Sequence, residues 1–374
     1  MERLYTELYY EPRASVREML ADAAWVPEMT EFESSFLCGL IRQFRPHRIL
    51  EVGVAAGGTT AIMLECIRLL GLDCDMYSVD VSVPFYRDNS KHSGYIAEVY
   101  MTALGEPVRH EFLLGKALPH VLDRFDEGTI DMVVLDTMHI LPGELLDYLA
   151  ILPRLAPGAV ICLHDISLNQ LTENHNIATN VLYSNMVGKR IFNFLPQPNL
   201  YGATYPNIGA MQVTENTFTN IDGVFHALML NWAYMPSEKD IGAYRAIYEK
   251  AYGNEMMQIF ENALLYNSKH EQYVFPFEQV AQGSKVVLYG AGNVGRSYYR
   301  QVKDDETIKL VGWVDSARRE PYEGFDIASP DDLSGWDYDY VIIAVWPEDV
   351  AQQIREGLLT VGVAEEKIVW VQQG

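Results

Sequence analysis

Two sets of residues in this 374-residue chain have the types and spacing that chemistry requires. The first set is Asp136, His139, His164 and Asp165. They follow two short apolar runs, Asp131–Leu135 and Ala159–Leu163, so all four are expected at the carboxyl ends of adjacent strands. Open α/β sheets bind their ligands there. Imidazole titrates near neutrality, so His139 or His164 can be a general base. A plainer alternative leaves Asp136 on a cofactor and both histidines structural.

The second set is a pair of glycine-rich turns. Glu51-Val52-Gly53-Val54-Ala55-Ala56-Gly57 closes an apolar run and opens a helical pattern, and Asp80 ends the next apolar run. Small residues at a strand-to-helix turn let a ligand lie on the backbone, and an acid placed like Asp80 accepts hydrogen bonds from both ribose hydroxyls. Gly290-Ala291-Gly292-Asn293-Val294-Gly295 repeats the arrangement as a complete G-x-G-x-x-G, with Asp315 ending the following run. Either turn could also be no more than a tight connection that packs a helix on a sheet.

The elements that must hold these residues are legible from periodicity. Short apolar runs at Arg48–Val52, Met76–Asp80, His110–Leu114, Asp131–Leu135 and Ala159–Leu163 read as strands. Helical spacing marks 14–45, with Ser15 as a cap, then Thr59–Leu70, Ala117–Arg124 and Gly143–Leu155. Alternating strands and helices imply right-handed crossovers and a mostly parallel, doubly wound α/β sheet. Residues 166–220 are less regular, with closing strands expected at Arg190–Phe194 and Ile208–Val213. The helical stretch 221–279 can be a linker, a lid over the substrate or the surface of a homodimer, and periodicity does not choose. A second, smaller Rossmann-like α/β domain is expected over 280–374, with strands at Val286–Tyr289, Leu310–Val314 and Tyr340–Val345 and about five strands in all.

The first 220 residues resemble the class I S-adenosylmethionine-dependent methyltransferases. Glu51, Gly53 and Gly57 match that family's E-x-G-x-x-x-G motif, and Asp131–His139 with Leu152-Pro153-Arg154-Leu155-Ala156-Pro157-Gly158-Ala159 match its later motifs, with Ala159 in place of a second glycine. The resemblance implies that Gly53, Ala55 and Gly57 cradle S-adenosylmethionine, that Glu51 faces its ammonium group, and that Asp80, Gly115 and Asp136 complete the site. The cluster resembles small-molecule O-methyltransferases and cephalosporin-hydroxylase-like proteins, some of which hold a divalent cation with such carboxylates; the resemblance implies Mg²⁺ on the hard oxygen ligands of Asp136 and Asp165, where it would lower the pKa of a substrate hydroxyl. Ile166 stands where the catechol-type pattern has Asn. The C-terminal unit resembles small domains appended to sugar-modifying enzymes, which implies a nucleotide or nucleotide sugar on Gly290, Gly292, Gly295 and Asp315 and a role in carbohydrate biosynthesis.

Composition narrows the partners. A formal net charge of -23 disfavours nucleic acid and anionic membranes, while 49% hydrophobic residues suffice for substantial cores. No run approaches the roughly 20 apolar residues of a membrane helix. The start of the chain carries no signal-peptide pattern, and Cys38, Cys66, Cys74 and Cys162 read as buried reduced thiols, so a cytoplasmic setting is expected. The reading that unites these features is methyl transfer to a hydroxyl of a small polar acceptor such as a sugar or nucleotide sugar. An NAD-dependent oxidoreductase using the C-terminal turn, and a non-catalytic nucleotide-sugar-binding protein, are the alternatives.

Overall fold

The computed structural model describes residues 5–20, 28–106, 108–170, 177–195, 204–269 and 273–372. The chain divides into two compact units, one of Met1–Leu230 with Asp240–Ala263 and one of Asn231–Lys239 with Leu264–Gly374.

The first unit is a doubly wound α/β fold. Its strands are β1 (Arg48–Val52), β2 (Asp75–Asp80), a small hairpin of β3 (Pro84–Phe85) and β4 (Asp88–His92), β5 (His110–Leu114), β6 (Ile130–Leu135), β7 (Leu155–His164), β8 (Lys189–Ile191) and β9 (Ile208–Gln212). Seven of them form one sheet in the order β5-β2-β1-β6-β7-β9-β8. The first five of that order are parallel, and β9 runs antiparallel to both β7 and β8. The helices are α1 (Glu11–Met19), α2 (Glu31–Phe44), α3 (Gly58–Leu69), α4 (Tyr95–Leu104), α5 (Gly143–Ile151), α6 (Ala178–Asn185), α7 (Glu215–Thr219), α8 (Asp222–Ala227) and α9 (Glu238–Ala251). Phe36, Leu40, Ile62, Met63 and Cys66 pack on Ile49, Met76, Met132 and Val160. The alternating strand residues Leu50, Val79, Val133 and Ile161 are buried as well, because a parallel sheet is covered on both faces.

Several boundaries differ from the sequence expectation for physical reasons. Ser15 lies inside α1 and donates to Glu65, while Thr30 caps α2 in a reciprocal box with Glu33. The helix expected over Ala117–Arg124 is two 3-10 turns, Leu118–His120 and Leu122–Arg124. Pro119 cannot donate the backbone hydrogen bond that a continuous helix needs. The hairpin and α4 carried no clear periodic signal. Parts of the irregular stretch 166–220, residues 171–176 and 196–203, lie outside the described residues. Helix α9 is seated on α5: Tyr244 donates to Asp147 at 2.6 Å, and Tyr248 donates to the Leu146 carbonyl at 2.7 Å.

The second unit holds β10 (Lys285–Tyr289), β11 (Lys309–Val314), β12 (Tyr340–Ile343) and β13 (Ile368–Val369) in a four-stranded parallel sheet ordered β11-β10-β12-β13. About five strands were expected. Helix α10 (Asn254–Asn267) precedes this sheet, and α11 (Asn293–Val302) and α12 (Glu348–Thr360) belong to it. Separate cores cover its two faces, one around Trp313 and Tyr298, the other around Val341 and Leu358. The four cysteines are buried and unpaired. Among the described residues, no helix is long and apolar enough to cross a membrane.

Candidate active site

Strand order fixes where a ligand belongs. β1 has β2 on one side and β6 on the other, so the chain reverses its winding at β1/β6 and opens a crevice at their carboxyl ends. The turn after β1 and Asp136 after β6 meet there. Gly53 has φ +95°, and a Cβ on it would stand 1.8 Å from the Asp136 carbonyl oxygen. Gly57 has φ +87°, and its Cβ would stand 2.7 Å from the Gly94 Cα. Ala55 occupies the left-handed region at φ 49°. The glycines thus close the turn on its own protein neighbours.

Asp80 clasps that turn. Its Oδ2 accepts from the backbone N–H groups of Val54 at 3.0 Å and Ala55 at 3.2 Å, and its Oδ1 accepts from Ser82 N at 2.8 Å. Gly115, at φ +72°, lies beside Val83, and the N–H of Lys116 reaches the Asp80 carbonyl. Glu51, expected to face the ammonium group of the cofactor, is turned inward instead. It is 1% exposed, and its Oε2 accepts from Thr60 Oγ1 at 2.7 Å and Ser78 Oγ at 2.6 Å. Burial pushes its carboxyl up to about 8, against the pull of those two hydroxyls. Ser78 also contacts His110 Nε2 at 2.9 Å, and burial lowers that imidazole to about 4. Glu51 is therefore a positioning group under the turn.

The structure brings Asp136, His139, His164 and Asp165 together. His139 Nε2 lies 3.1 Å from Asp165 Oδ2 and 3.6 Å from Asp136 Oδ1. His164 Nδ1 lies 3.1 Å from Asp136 Oδ1 and 3.5 Å from Asp165 Oδ2. His139 and Asp165 both sit at left-handed φ, 60° and 56°. Such backbone is uncommon outside glycine and collects at functional sites.

Three further groups complete the cluster, and sequence reasoning missed them. Glu144 Oε1 accepts from the His139 backbone N–H at 2.6 Å and Thr137 Oγ1 at 2.7 Å, and lies 3.4 Å from His139 Nδ1. Asn207 donates to Asp165 Oδ1 at 2.6 Å and to Glu33 Oε1 at 3.1 Å. Glu33 Oε2 faces His164 Nε2 at 3.5 Å. Glu33 had a signal, the T-x-x-E spacing with Thr30, but that spacing announces a helix cap and not a site. Asn207 and Glu144 had none.

The electrostatics follow from this crowding of carboxylates. Burial alone would lower the His139 imidazole, yet its bonds to Asp165 and Glu144 push it up to about 10. His164 is raised well above its ordinary value by Asp136, Glu33 and Asp165, again against burial. Asp165 falls well below the usual carboxylate range despite its burial, because His139 and His164 face it. The surrounding carboxylates favour the protonated form of both rings, and a protonated ring must lose its proton before it can act as a base.

The second turn is built differently. Gly290 has φ +115°, with a would-be Cβ 2.7 Å from the Ala344 carbonyl oxygen, and a Cβ on Gly295 would meet the Gly290 carbonyl at 1.9 Å. A Cβ on Gly292 would meet nothing within 4 Å. Asp315 Oδ2 accepts from Ala291 N at 2.7 Å, and its Oδ1 accepts from Ala317 N and Arg318 N.

Two segments of the chain match known families. Residues 50–166 match the family described as a methyltransferase domain, and the turn, Asp80 and the Asp–His cluster all lie inside the matched segment. Residues 282–369 match the family described as C2185-like, N-terminal. An uncharacterised protein, y4gI of Sinorhizobium fredii, is 24% identical over 135 residues, 35% of this chain and 14% of that protein's own length. Among solved structures, the O-methyltransferase TomG from Streptomyces achromogenes, involved in tomaymycin synthesis and in complex with S-adenosylmethionine, is 18% identical. The match covers 56% of this chain and 92% of that one, with a TM-score of 0.40. An O-methyltransferase from Bacillus cereus in complex with S-adenosylhomocysteine is 15% identical, covers 54% of this chain and 91% of that one, and has a TM-score of 0.39.

Proposed function

We propose that the first unit transfers a methyl group from S-adenosylmethionine to a hydroxyl oxygen of a small polar acceptor. The observation that carries this reading is the meeting, inside a methyltransferase domain, of the β1 turn with an Asp–His cluster at the strand reversal. The residues suit the cofactor. Asp80 presents a carboxylate where the second strand ends, and the β1 turn lines the crevice beside it. When bound, S-adenosylmethionine supplies an electrophilic methyl on sulfur, displaced in line by the acceptor oxygen, so the protein has to orient the acceptor and take its proton. The charged rings of His139 and His164 are placed to stabilise negative charge growing on that oxygen. Asp136 shares a backbone contact with Gly53 and is the carboxylate best placed to take the proton.

The acceptor class is a sugar or nucleotide sugar in this reading, supported by a second unit whose Gly292 leaves room for a ligand. A cation is the second reading of the cluster, since ligand atoms of Asp136, His139 and Asp165 lie within 4.8 Å of one another. Titration calorimetry of the full chain with S-adenosylmethionine and S-adenosylhomocysteine tests the central claim. Both should bind, and Asp80→Ala should weaken both by about 10- to 100-fold, since hydrogen bonds to a charged group are worth roughly 1.5–3 kcal/mol. No heat from either ligand would rule the reading out, and binding of NAD alone would replace it with an oxidoreductase.

A further inference from the structure

We propose that Glu28 and Arg87 hold the amino-acid end of S-adenosylmethionine, Glu28 receiving its ammonium group and Arg87 its carboxylate. The inference rests on the methyltransferase reading and assigns to other residues the role expected of Glu51.

The β1 turn spends its own acceptors on the protein. The carbonyls of Val54, Ala55 and Ala56 accept from the backbone N–H groups of Gly57, Gly94 and Ile96, each at 2.9 Å. Glu51 is turned away beneath the turn, between Thr60 and Ser78. An ammonium group arriving here therefore needs an acceptor from another element. With the ribose on Asp80, the amino-acid end of the cofactor falls toward β6. Glu28 stands on that side, within the influence of Asp136, His164 and the backbone N–H of Ala56.

Both residues are anchored by their neighbours. Glu28 directly precedes Met29, which is buried, and Thr30, the cap of α2. Arg13 donates to the carbonyls of both, at 2.8 and 3.3 Å. Arg87 lies in the turn between β3 and β4, next to the buried Phe85. The bonds from Gly94 and Ile96 strap the segment after that hairpin to the β1 turn.

Their charges are left incomplete. Glu28 Oε1 is buried and has no hydrogen-bond partner. Its Oε2 lies 3.5 Å from Arg87 Nη2, well beyond the length of a strong charged hydrogen bond. Burial pushes the Glu28 carboxyl up and Asp136 adds to that push, whereas Arg87, His164 and the N–H of Ala56 draw it down. A buried carboxylate oxygen without a donor is costly until a cation satisfies it. Arg87 is half-exposed, and its planar fork of donors matches a carboxylate. An α-amino acid carries one positive and one negative charge. A loose Glu–Arg pair is complementary to both, since each member exchanges a distant partner for a close one.

The test is titration calorimetry of the full chain with three ligands. S-adenosylhomocysteine carries both charged groups, aminopropylthioadenosine keeps the amine alone, and methylthioadenosine has neither. Glu28→Gln should weaken the first two about tenfold or more, the worth of a hydrogen bond to a charged group, and leave methylthioadenosine within about twofold. Arg87→Gln should weaken S-adenosylhomocysteine by about the same factor and leave the other two unchanged. Gln matches Glu in shape, and Arg87 lies on an exposed turn, so both variants are expected to fold. If Glu28→Gln does not, the native chain decides, because its affinities should rise from methylthioadenosine through aminopropylthioadenosine to S-adenosylhomocysteine. Any other order, or a Glu28 variant that weakens all three ligands alike or none, would overturn the proposal and leave the methyltransferase reading standing. An Arg87 variant with undiminished affinity for S-adenosylhomocysteine would remove Arg87 from the assignment. Failure of all three ligands to bind the native chain would overturn both the assignment and the reading beneath it.

Discussion

The two glycine-rich turns share a plan and part company in what surrounds them. Each follows the first strand of a parallel sheet, and each is tied down by an aspartate from the second strand, Asp80 on Val54 and Ala55 and Asp315 on Ala291. In the first turn Gly53 and Gly57 are both demanded by protein packing. In the second, Gly290 and Gly295 are so demanded, whereas Gly292 faces open space. The first turn opens beside four carboxylates and two histidines. Among the described residues, no comparable group of possible metal ligands lies near the second. A strand–turn–helix unit therefore supplies a place for a nucleotide-like ligand, and the reaction centre comes from what neighbouring strands add to it.

The sharpest way to break the contrast is to remove the chemistry from one side only. Asp136→Asn keeps size and shape but loses the proton acceptor. It should lower methyl transfer by about 10²- to 10⁴-fold, the usual worth of general base catalysis. S-adenosylhomocysteine affinity should change little in calorimetry. Unchanged turnover would show that the cluster is scaffolding and that both turns are merely ligand cradles.

Next in size is a pair of alanine substitutions. Gly53→Ala forces a Cβ to within 1.8 Å of a backbone carbonyl at φ +95°, and should destabilise the first unit by about 3 kcal/mol or more. Gly292→Ala meets nothing at an extended backbone (φ −77°, ψ −162°) and should change stability by less than about 0.5 kcal/mol. Thermal denaturation of the two full-length variants measures the difference. Equal losses would mean that Gly292 is as constrained as Gly53.

Much of this contrast was legible in the sequence, and the missing part has a physical pattern. Strand runs bounded by turns placed β1, β2, β5 and β6 almost to the residue, and the carboxyl end of β7, which begins four residues earlier than expected; with them came Asp80, Asp136, His164 and Asp165. Local patterns of that kind are set within a few residues. Glu144 and Asn207 were invisible because they reach the cluster through tertiary packing, Asn207 at the head of β9 and Glu144 in the first turn of α5. Glu51 was misplaced for a related reason. A carboxylate one residue before the strand's last position was read as ligand-facing, but hydroxyls on β2 and α3 draw it inward.

That inward turn yields a pH-dependent difference between the units. Glu51 holds a proton in the folded chain up to about pH 8, against an ordinary value of 4.5. Between those values the folded state binds a proton that the unfolded state has released, so stability falls as pH rises, by up to about 1.4 kcal/mol per pH unit. Leu288 stands at the matching place in the second turn, buried and apolar, and contributes no such slope. Glu51→Gln keeps an acceptor for Thr60 and Ser78 but cannot ionise. Hydrogen exchange of β1 peptides in the intact chain should show the variant gaining protection over the native protein from pH 5 to pH 8, with β10 peptides unchanged. Parallel profiles would place the Glu51 pKa near its ordinary value.

The smallest expected effect concerns a ligand on the second turn. The first N–H groups of α11 have no partner within the helix, and such a helix start favours an anion. Gly292 leaves the approach clear, and screening beyond about 8 Å at physiological salt blunts the charge of the distant acidic surface. A nucleotide diphosphate or nucleotide sugar at 100 times its Kd would stabilise the folded unit by about 2.7 kcal/mol, visible as a rise of a few degrees in its midpoint. Gly292→Val adds a branched side chain where the protein itself has room and where the extended backbone accepts it. It should abolish the ligand-induced rise while leaving the ligand-free midpoint and S-adenosylmethionine binding unchanged. A screen of the full chain against NAD(H), NADP(H), UDP-sugars and GDP-sugars, repeated on the variant, separates the outcomes. A rise with nucleotide sugars alone supports a sugar acceptor. A rise with NAD(H) alone assigns the second turn to a dinucleotide. If no compound moves the midpoint of the native chain, the open space at Gly292 is only part of a scaffold, and the resemblance between the two turns ends at their backbone.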